Sequence, residues 1–175
     1  FDNEKLLRII DEAAELGMDT FVLDDGWFGE RNDDTSSLGD WYVNEKKLQG
    51  GLNAVISHCK EKGLRFGLWF EPEMICKKSR LYEMHPEYVL GAPGIEPVYS
   101  RNQWLLDFTR KDVVDCIFDM VSKILSDHEI SYVKWDMNRF MSEFYSRELP
   151  PDRQGEVAHR YILGVYDLAD RLTKA

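Results

Sequence analysis

Residues 132–139 have the sequence YVKWDMNR, a short apolar run that ends abruptly in charge. The side chains of a strand alternate between its two faces, so Lys134 and Asp136 share one face and Trp135 points to the other. A lysine and an aspartate are costly to bury, and the lysine should keep the aspartate ionised by lowering its pKa. An ionised carboxylate can act as a nucleophile, but a structural ion pair at a strand end would produce the same pattern.

Two other apolar runs end in charge in the same way. TFVL at 20–23 is followed by DDG, and LRFGLWF at 64–70 is followed by EPE. WLLDF at 104–108 is a candidate for a fourth, shorter strand. Apolar residues at helical spacing predict helices between these runs, at about 3–16, 52–62, 111–125 and 154–172.

Helices and short apolar strands therefore alternate along the chain, which is typical of βα units on a parallel sheet. The loops after the strands are long and those before them are short, as in a (β/α)8 barrel. A doubly wound sheet shows the same alternation, but more often carries a glycine-rich phosphate loop after its first strand. A full barrel takes about 250 residues. We therefore expect residues 1–175 to be part of one α/β domain, about half of a TIM barrel, with no internal domain boundary.

Composition excludes several classes of protein. The net charge of −10 argues against a nucleic-acid partner. No apolar run approaches the roughly 18–20 residues of a membrane span, and the first residues resemble a helix start and not a signal peptide. The four histidines are scattered, which makes a metal site unexpected. The three cysteines, Cys59, Cys76 and Cys116, lack CxxC spacing and suggest a reducing compartment, so we expect a cytoplasmic protein.

Parallel strands would bring their charged ends together at one rim. Carboxylates, a lysine and aromatic side chains suit a sugar, whose hydroxyls donate to carboxylates and whose apolar face stacks on aromatic rings. Three carboxylates holding a divalent metal, as in enolase-type enzymes, are the competing interpretation. Trp27, Phe28 and Trp41 could pack the core, line the pocket or contact another subunit.

Four blocks resemble, in order and spacing, the successive motifs of glycoside hydrolase family 36 α-galactosidases: LDDGWF at 23–28, LWFEPEM at 68–74, SRNQWLLD at 100–107 and YVKWDMNR at 132–139. The resemblance extends over residues 1 to about 145. It implies a barrel enzyme, without a cofactor, that hydrolyses terminal α-galactosides such as melibiose and raffinose with retention of configuration. It also suggests that the full-length enzyme is a homo-oligomer.

The resemblance assigns roles to particular residues. Asp136 would be the nucleophile that forms a galactosyl-enzyme intermediate. The groups implied to bind the sugar are Asp24, Asp25, Trp69, Arg101 and Lys134. Asn138 lies two residues beyond Asp136 on the same nominal strand face, which indicates a hydrogen bond to the substrate or to a neighbour.

A retaining glycosidase needs a second carboxyl group as general acid and base. In this family that group is an aspartate in a later motif, after a cysteine- and glycine-rich stretch, and we find no such motif here. Glu71 and Glu73 do not match it. The expectation is that the chain by itself has no meaningful turnover.

Other functions remain open at this stage. A raffinose-synthase-like galactosyltransferase and an α-N-acetylgalactosaminidase would share these motifs. A metal-dependent lyase or isomerase and a non-catalytic sugar-binding remnant are alternatives of a different class.

Overall fold

The computed structural model describes residues 1–174. The strands are β1 (Thr20–Leu23), β2 (Arg65–Phe70), β3 (Met74–Ile75), β4 (Trp104–Leu105) and β5 (Tyr132–Trp135). The helices are α1 (Asn3–Glu15), α2 (Gly51–Glu61), α3 (Arg80–Met84), α4 (Lys111–Asp127) and α5 (Val157–Lys174). Short 3₁₀ helices lie at Pro86–Tyr88 and Pro151–Glu156.

Strands β1, β2 and β5 form a parallel sheet with β2 in the centre. Leu23 lies opposite Leu68, and Phe70 lies opposite Trp135, so all three strands end at nearly the same level. Because parallel strands need long crossovers, helices α2 and α4 fill the connections between them. The prediction of a partial (β/α)8 barrel, with helices between parallel strands, is confirmed.

The fourth predicted strand does not belong to this sheet. Residues 104–105 form β4, which pairs antiparallel with β3, placing Met74 opposite Leu105. The backbone N–H of Leu106 also donates to the carbonyl of Glu73 at 2.9 Å. A short apolar run has the same sequence pattern in a barrel strand and in a two-stranded antiparallel ribbon. The pattern at 104–108 therefore could not show that β4 pairs with β3 and not with the parallel sheet.

The helices follow local sequence signals. Asp2 caps α1, because its Oδ1 accepts the N–H of Lys5 at 3.0 Å. Leu6 and Ile10, one helical turn apart, are the buried residues of α1. Helix α4 buries a similar stripe and packs against α5; its buried residues are Val113, Val114, Ile117, Val121 and Ile124.

An aromatic cluster fills the space beneath the ends of β1 and β2. The sequence left open whether three aromatic residues pack the core, line the pocket or contact another subunit. All three, Trp27, Phe28 and Trp41, are buried and pack in the core. The rings of Phe28 and Trp41 have centroids 4.6 Å apart. The indole N–H of Trp27 donates to the carbonyl of Trp69 at 2.9 Å, so the cluster fixes the backbone of β2 where that strand ends.

The described residues contain no helix that is long and apolar enough to cross a membrane. Among these same residues, no group of three or more His, Cys, Asp or Glu side chains is placed to share a metal ion. All three cysteines are free thiols, and Cys59 and Cys76 are buried.

Candidate active site

A cleft of about 230 Å³ lies at the carboxyl ends of the parallel strands. Six of the seven residues assigned from the sequence line it: Asp24, Asp25, Trp69, Arg101, Asp136 and Asn138. The seventh, Lys134, forms an ion pair with Asp24. The cleft also has four further lining residues: Arg31, Asp34, Glu71 and Gln103.

Asp136 follows directly after β5 and receives three hydrogen bonds. Its Oδ2 accepts the indole N–H of Trp69 at 2.9 Å and the amide Nδ2 of Asn138 at 2.8 Å. Its Oδ1 accepts the backbone N–H of Met137 at 3.0 Å. Three donors around one carboxylate favour its ionised form and fix its orientation.

The pKa of Asp136 is lowered from its ordinary value. Partial burial acts in the opposite direction and raises the pKa, but the hydrogen bonds from Trp69, Asn138 and Met137, with the charge of Lys134, outweigh it. The lowering expected from Lys134 is therefore confirmed in direction, although Trp69 and Asn138 contribute more than the lysine. Asp136 is a carboxylate at neutral pH, which is the form that a nucleophile requires.

Lys134 forms its ion pair with Asp24 and not with Asp136. Its Nζ lies 2.8 Å from Asp24 Oδ2, a contact that joins β5 to the residue immediately after β1, the other outer strand of the sheet. Both side chains remain partly exposed to solvent. The pKa of Lys134 is raised, chiefly by the hydrogen bond to Asp24, so the ammonium group stays charged beside Asp136.

Asp24 and Asp25 both line the cleft although adjacent strand residues face opposite ways. Strand β1 ends at Leu23, and Gly26 has a φ of +103°, a conformation that L-residues rarely adopt. The chain therefore bends after β1, which brings both carboxylates to the cleft.

Arg31 orients the second of these carboxylates. Its guanidinium binds Asp25 through two parallel hydrogen bonds, Nε to Oδ1 at 3.0 Å and Nη2 to Oδ2 at 2.8 Å. A third hydrogen bond runs from Nη1 to the carbonyl of Ser36 at 3.0 Å. The Arg31 side chain is only 7% exposed. The sequence analysis missed this residue, because nothing in the polar stretch 29–51 marks one charge as a partner of Asp25.

Arg101 and Asn138 meet across the cleft. Arg101 Nη1 lies 3.2 Å from Asn138 Oδ1, which leaves the Asn138 amide nitrogen directed at Asp136. Arg101 and Asn102 both have positive φ, 53° and 60°. Consecutive non-glycine residues in this region are strained, and such strain concentrates at functional sites.

The arrangement is a small polar cleft with alternating acceptors and donors, which suits a ligand rich in hydroxyl groups. Trp69 contributes its N–H edge to the cleft, while its ring stacks on Phe28 with centroids 6.0 Å apart and an interplanar angle of 8°. Trp69 therefore helps to wall the cleft and also acts as a hydrogen-bond donor to the Asp136 carboxylate.

Replacing Arg31 with lysine tests the orientation of Asp25. In the enzyme that contains this chain, we expect Arg31→Lys to raise KM for the sugar substrate about tenfold or more, because a two-point charged hydrogen bond is worth about 1.5–3 kcal/mol. Initial-rate kinetics measure this directly. Lys46→Ala is the control: its ion pair with Glu30 is on the same loop, is 82% and 62% exposed, and should change KM less than about twofold. Equal KM values for Arg31→Lys and the unaltered protein would contradict the assignment.

Known proteins match this chain over nearly its whole length. Over its 175 residues the chain is 54% identical to alpha-galactosidase 1 of Pediococcus pentosaceus, covering 100% of this chain and 24% of that protein. It is 54% identical to alpha-galactosidase Mel36A of Lactobacillus acidophilus over 98% of this chain and 24% of that protein. A crystal structure of an AgaA variant from Geobacillus stearothermophilus in complex with raffinose superimposes with a TM-score of 0.96 at 50% identity, over 99% of this chain and 24% of that one.

The chain thus spans about a quarter of the length of the relatives it matches. These relatives are glycoside hydrolases, and the aligned region includes the positions of the residues that line the cleft. The family model described as Melibiase matches residues 1–175. The chain therefore belongs to the Melibiase family, glycoside hydrolase family 36.

Proposed function

We propose that this chain supplies the nucleophile and the sugar-binding groups of a retaining α-galactosidase that hydrolyses terminal α-galactosides of the melibiose and raffinose type. The observation that carries the proposal is Asp136, an ionised carboxylate held by Trp69 and Asn138 at the edge of a polar cleft. The α-galactosidase names of the relatives and the raffinose complex of AgaA support the same substrate class.

In the proposed reaction the Asp136 carboxylate attacks the anomeric carbon of galactose and forms a glycosyl ester. The glycosidic bond breaks, and the departing oxygen takes a proton from a carboxylic acid. That group, now a carboxylate, removes a proton from water, which attacks the same carbon and releases Asp136 and galactose. Lys134 and Asp24, as a charged pair, and Asp25, oriented by Arg31, are proposed to bind the sugar hydroxyls.

The proposed general acid lies outside residues 1–174. Four carboxyl groups besides Asp136 line the cleft. Asp24 binds Lys134, Asp25 binds Arg31, and Glu71 accepts the backbone N–H of Asn138. The fourth, Asp34, is exposed on the loop 29–51 and does not follow the cysteine- and glycine-rich stretch that precedes the acid in this family. A retaining enzyme holds its acid roughly 5–5.5 Å from the nucleophile, free to reach the leaving group.

An aryl α-galactoside assay on the 175-residue chain tests that placement. We expect no turnover above background from the chain alone, and turnover from the protein in which a carboxyl group completes the site. Rates from the chain alone that match those of a complete α-galactosidase would contradict it. With raffinose as substrate, the complete enzyme should release free galactose. Transfer of galactose to a second sugar would contradict hydrolysis. Loss of activity on EDTA treatment would contradict a mechanism without a metal.

We further propose that the protein is cytoplasmic and that the full-length enzyme is a homo-oligomer. The three free thiols support a reducing compartment. Large exposed apolar side chains call for a further covering surface, either the rest of the longer enzyme or another subunit; Phe140 is 80% exposed and Ile95 is 67% exposed. Light scattering of the purified enzyme at low concentration measures the assembly, and a monomer would contradict the second proposal.

A further inference from the structure

Glu71 is a buried carboxyl group that the proposed mechanism does not use. It follows β2 directly, precedes Pro72 and is 2% exposed. Its Oε1 accepts the backbone N–H of Asn138 at 2.6 Å. Among the described residues no lysine, arginine or histidine lies within ion-pair distance of it. Burying a carboxyl group without a cation costs free energy of folding, which indicates that Glu71 has a role beyond packing.

The hydrogen bond from Asn138 to Glu71 fixes the turn that follows the nucleophile. With its backbone N–H held by Glu71, Asn138 directs Nδ2 at Asp136 Oδ2 and accepts Arg101 Nη1 on its Oδ1. Trp69 donates to the same Asp136 oxygen. Oδ2 therefore has two donors, whereas Oδ1 has only the N–H of Met137 and keeps a lone pair free.

We propose that Glu71 is a positioning residue: it anchors Asn138 so that the Asn138 amide holds one oxygen of Asp136 and leaves the other directed into the cleft for reaction. This inference rests on the proposed role of Asp136 as nucleophile. Because a small misplacement of a reacting group lowers the rate strongly, the effect of Glu71 should fall on kcat more than on KM.

Glu73 offers a matched control two residues away. It is also buried, but it accepts the indole N–H of Trp135 at 3.0 Å and the hydroxyl of Tyr161 at 2.7 Å, and so joins β5 to α5. The hydrogen bonds of Glu73 thus hold the scaffold, whereas the hydrogen bond to Glu71 acts on Asp136 through Asn138. The two carboxyl groups should differ in the kinetic parameter that their replacement changes.

The test compares Glu71→Ala, Glu71→Gln and Glu73→Gln in the enzyme that contains this chain, with an aryl α-galactoside. We expect Glu71→Ala to lower kcat about 10- to 100-fold with KM changed less than about threefold. Glu71→Gln can still accept the N–H of Asn138 through its amide oxygen, so it should keep kcat within about fivefold. Glu73→Gln should lower the melting temperature and leave kcat nearly unchanged.

The pH dependence separates positioning from a purely structural role. Asn138 helps to lower the pKa of Asp136, so Glu71→Ala, which releases Asn138, should move the acid limb of kcat/KM to higher pH. The charged groups that face Glu71 are Asp136 and Arg31. Burial first, and also the charge of Asp136, raise the pKa of Glu71, so it is protonated before Asp136 as the pH falls. Glu71→Gln should therefore leave the acid limb in place.

Three results would overturn the inference. The first is an unchanged kcat for Glu71→Ala in an active enzyme. The second is a KM for Glu71→Ala that rises as much as its kcat falls. The third is a crystal structure of Glu71→Ala in which Asn138 still donates to Asp136. The crystal structure does not depend on the substrate. Absence of α-galactoside turnover in the unaltered enzyme, by contrast, would contradict the proposed function and leave the structural result to decide the role of Glu71.

Discussion

In the complete enzyme that contains this chain, Asp136→Asn is expected to lower kcat about 10⁴-fold or more, because the covalent intermediate cannot form without the carboxylate. Asparagine has the same shape, and its side-chain oxygen can still accept from Trp69 or Asn138. The residue is partly exposed at a strand end, so the fold should be retained. Turnover of an aryl α-galactoside and the circular dichroism spectrum measure both outcomes.

The control for Asp136→Asn is Asp33→Asn. Asp33 is an exposed carboxylate whose hydrogen bonds go to the backbone and hydroxyl of Thr35. This substitution should change kcat less than about twofold. Substantial activity in folded Asp136→Asn protein would refute the nucleophile assignment.

A rescue experiment makes the assignment more specific. In Asp136→Gly the space of the carboxylate is vacant, and added azide should attack the anomeric carbon from the same side. With an activated aryl α-galactoside, whose leaving group needs no proton, we expect β-galactosyl azide as the product. An α-galactosyl azide, or no azide adduct at all, would argue that Asp136 does not attack carbon.

Gly164→Ala is expected to destabilise the protein by about 1–3 kcal/mol, the cost of overpacking a close contact. A Cβ at Gly164 in α5 would lie 2.0 Å from the carbonyl oxygen of Phe108, which is backbone and cannot rotate away. Alanine is the better helix former by about 1 kcal/mol, but relieving the clash requires α5 to move off the segment that precedes α4. That movement would also strain the hydroxyl contact of Tyr161 with Glu73.

Thermal unfolding of the purified enzyme measures this effect, and Gly155→Ala is the matched control. A Cβ at Gly155 would meet no atom within 4 Å, and that residue lies on the 3₁₀ helix just before α5. Gly155→Ala should be neutral or stabilising by up to about 1 kcal/mol. Equal melting temperatures for the two alanine variants would show that α5 adjusts without cost.

The fold and most of the cleft could be predicted from short stretches. The runs at 20–23, 64–70 and 132–135 are apolar, short and followed by charge, and parallel pairing then places their ends together. The WLLDF run was harder to place, because β3 and β4 are two residues each, and so short a pattern does not show which strand it pairs with.

The sequence by itself determined the parallel sheet, the bend at Gly26 and the presence of Asp136 at a strand end, because dihedral preferences and side-chain alternation act over a few neighbouring residues. Only the tertiary structure decided the partners of those groups. Lys134 binds Asp24 across 110 residues, Arg31 holds Asp25, and Glu71 reaches Asn138. Hydrogen bonds require atoms within about 3 Å, and that proximity depends on strand order and loop path, which no local pattern specifies.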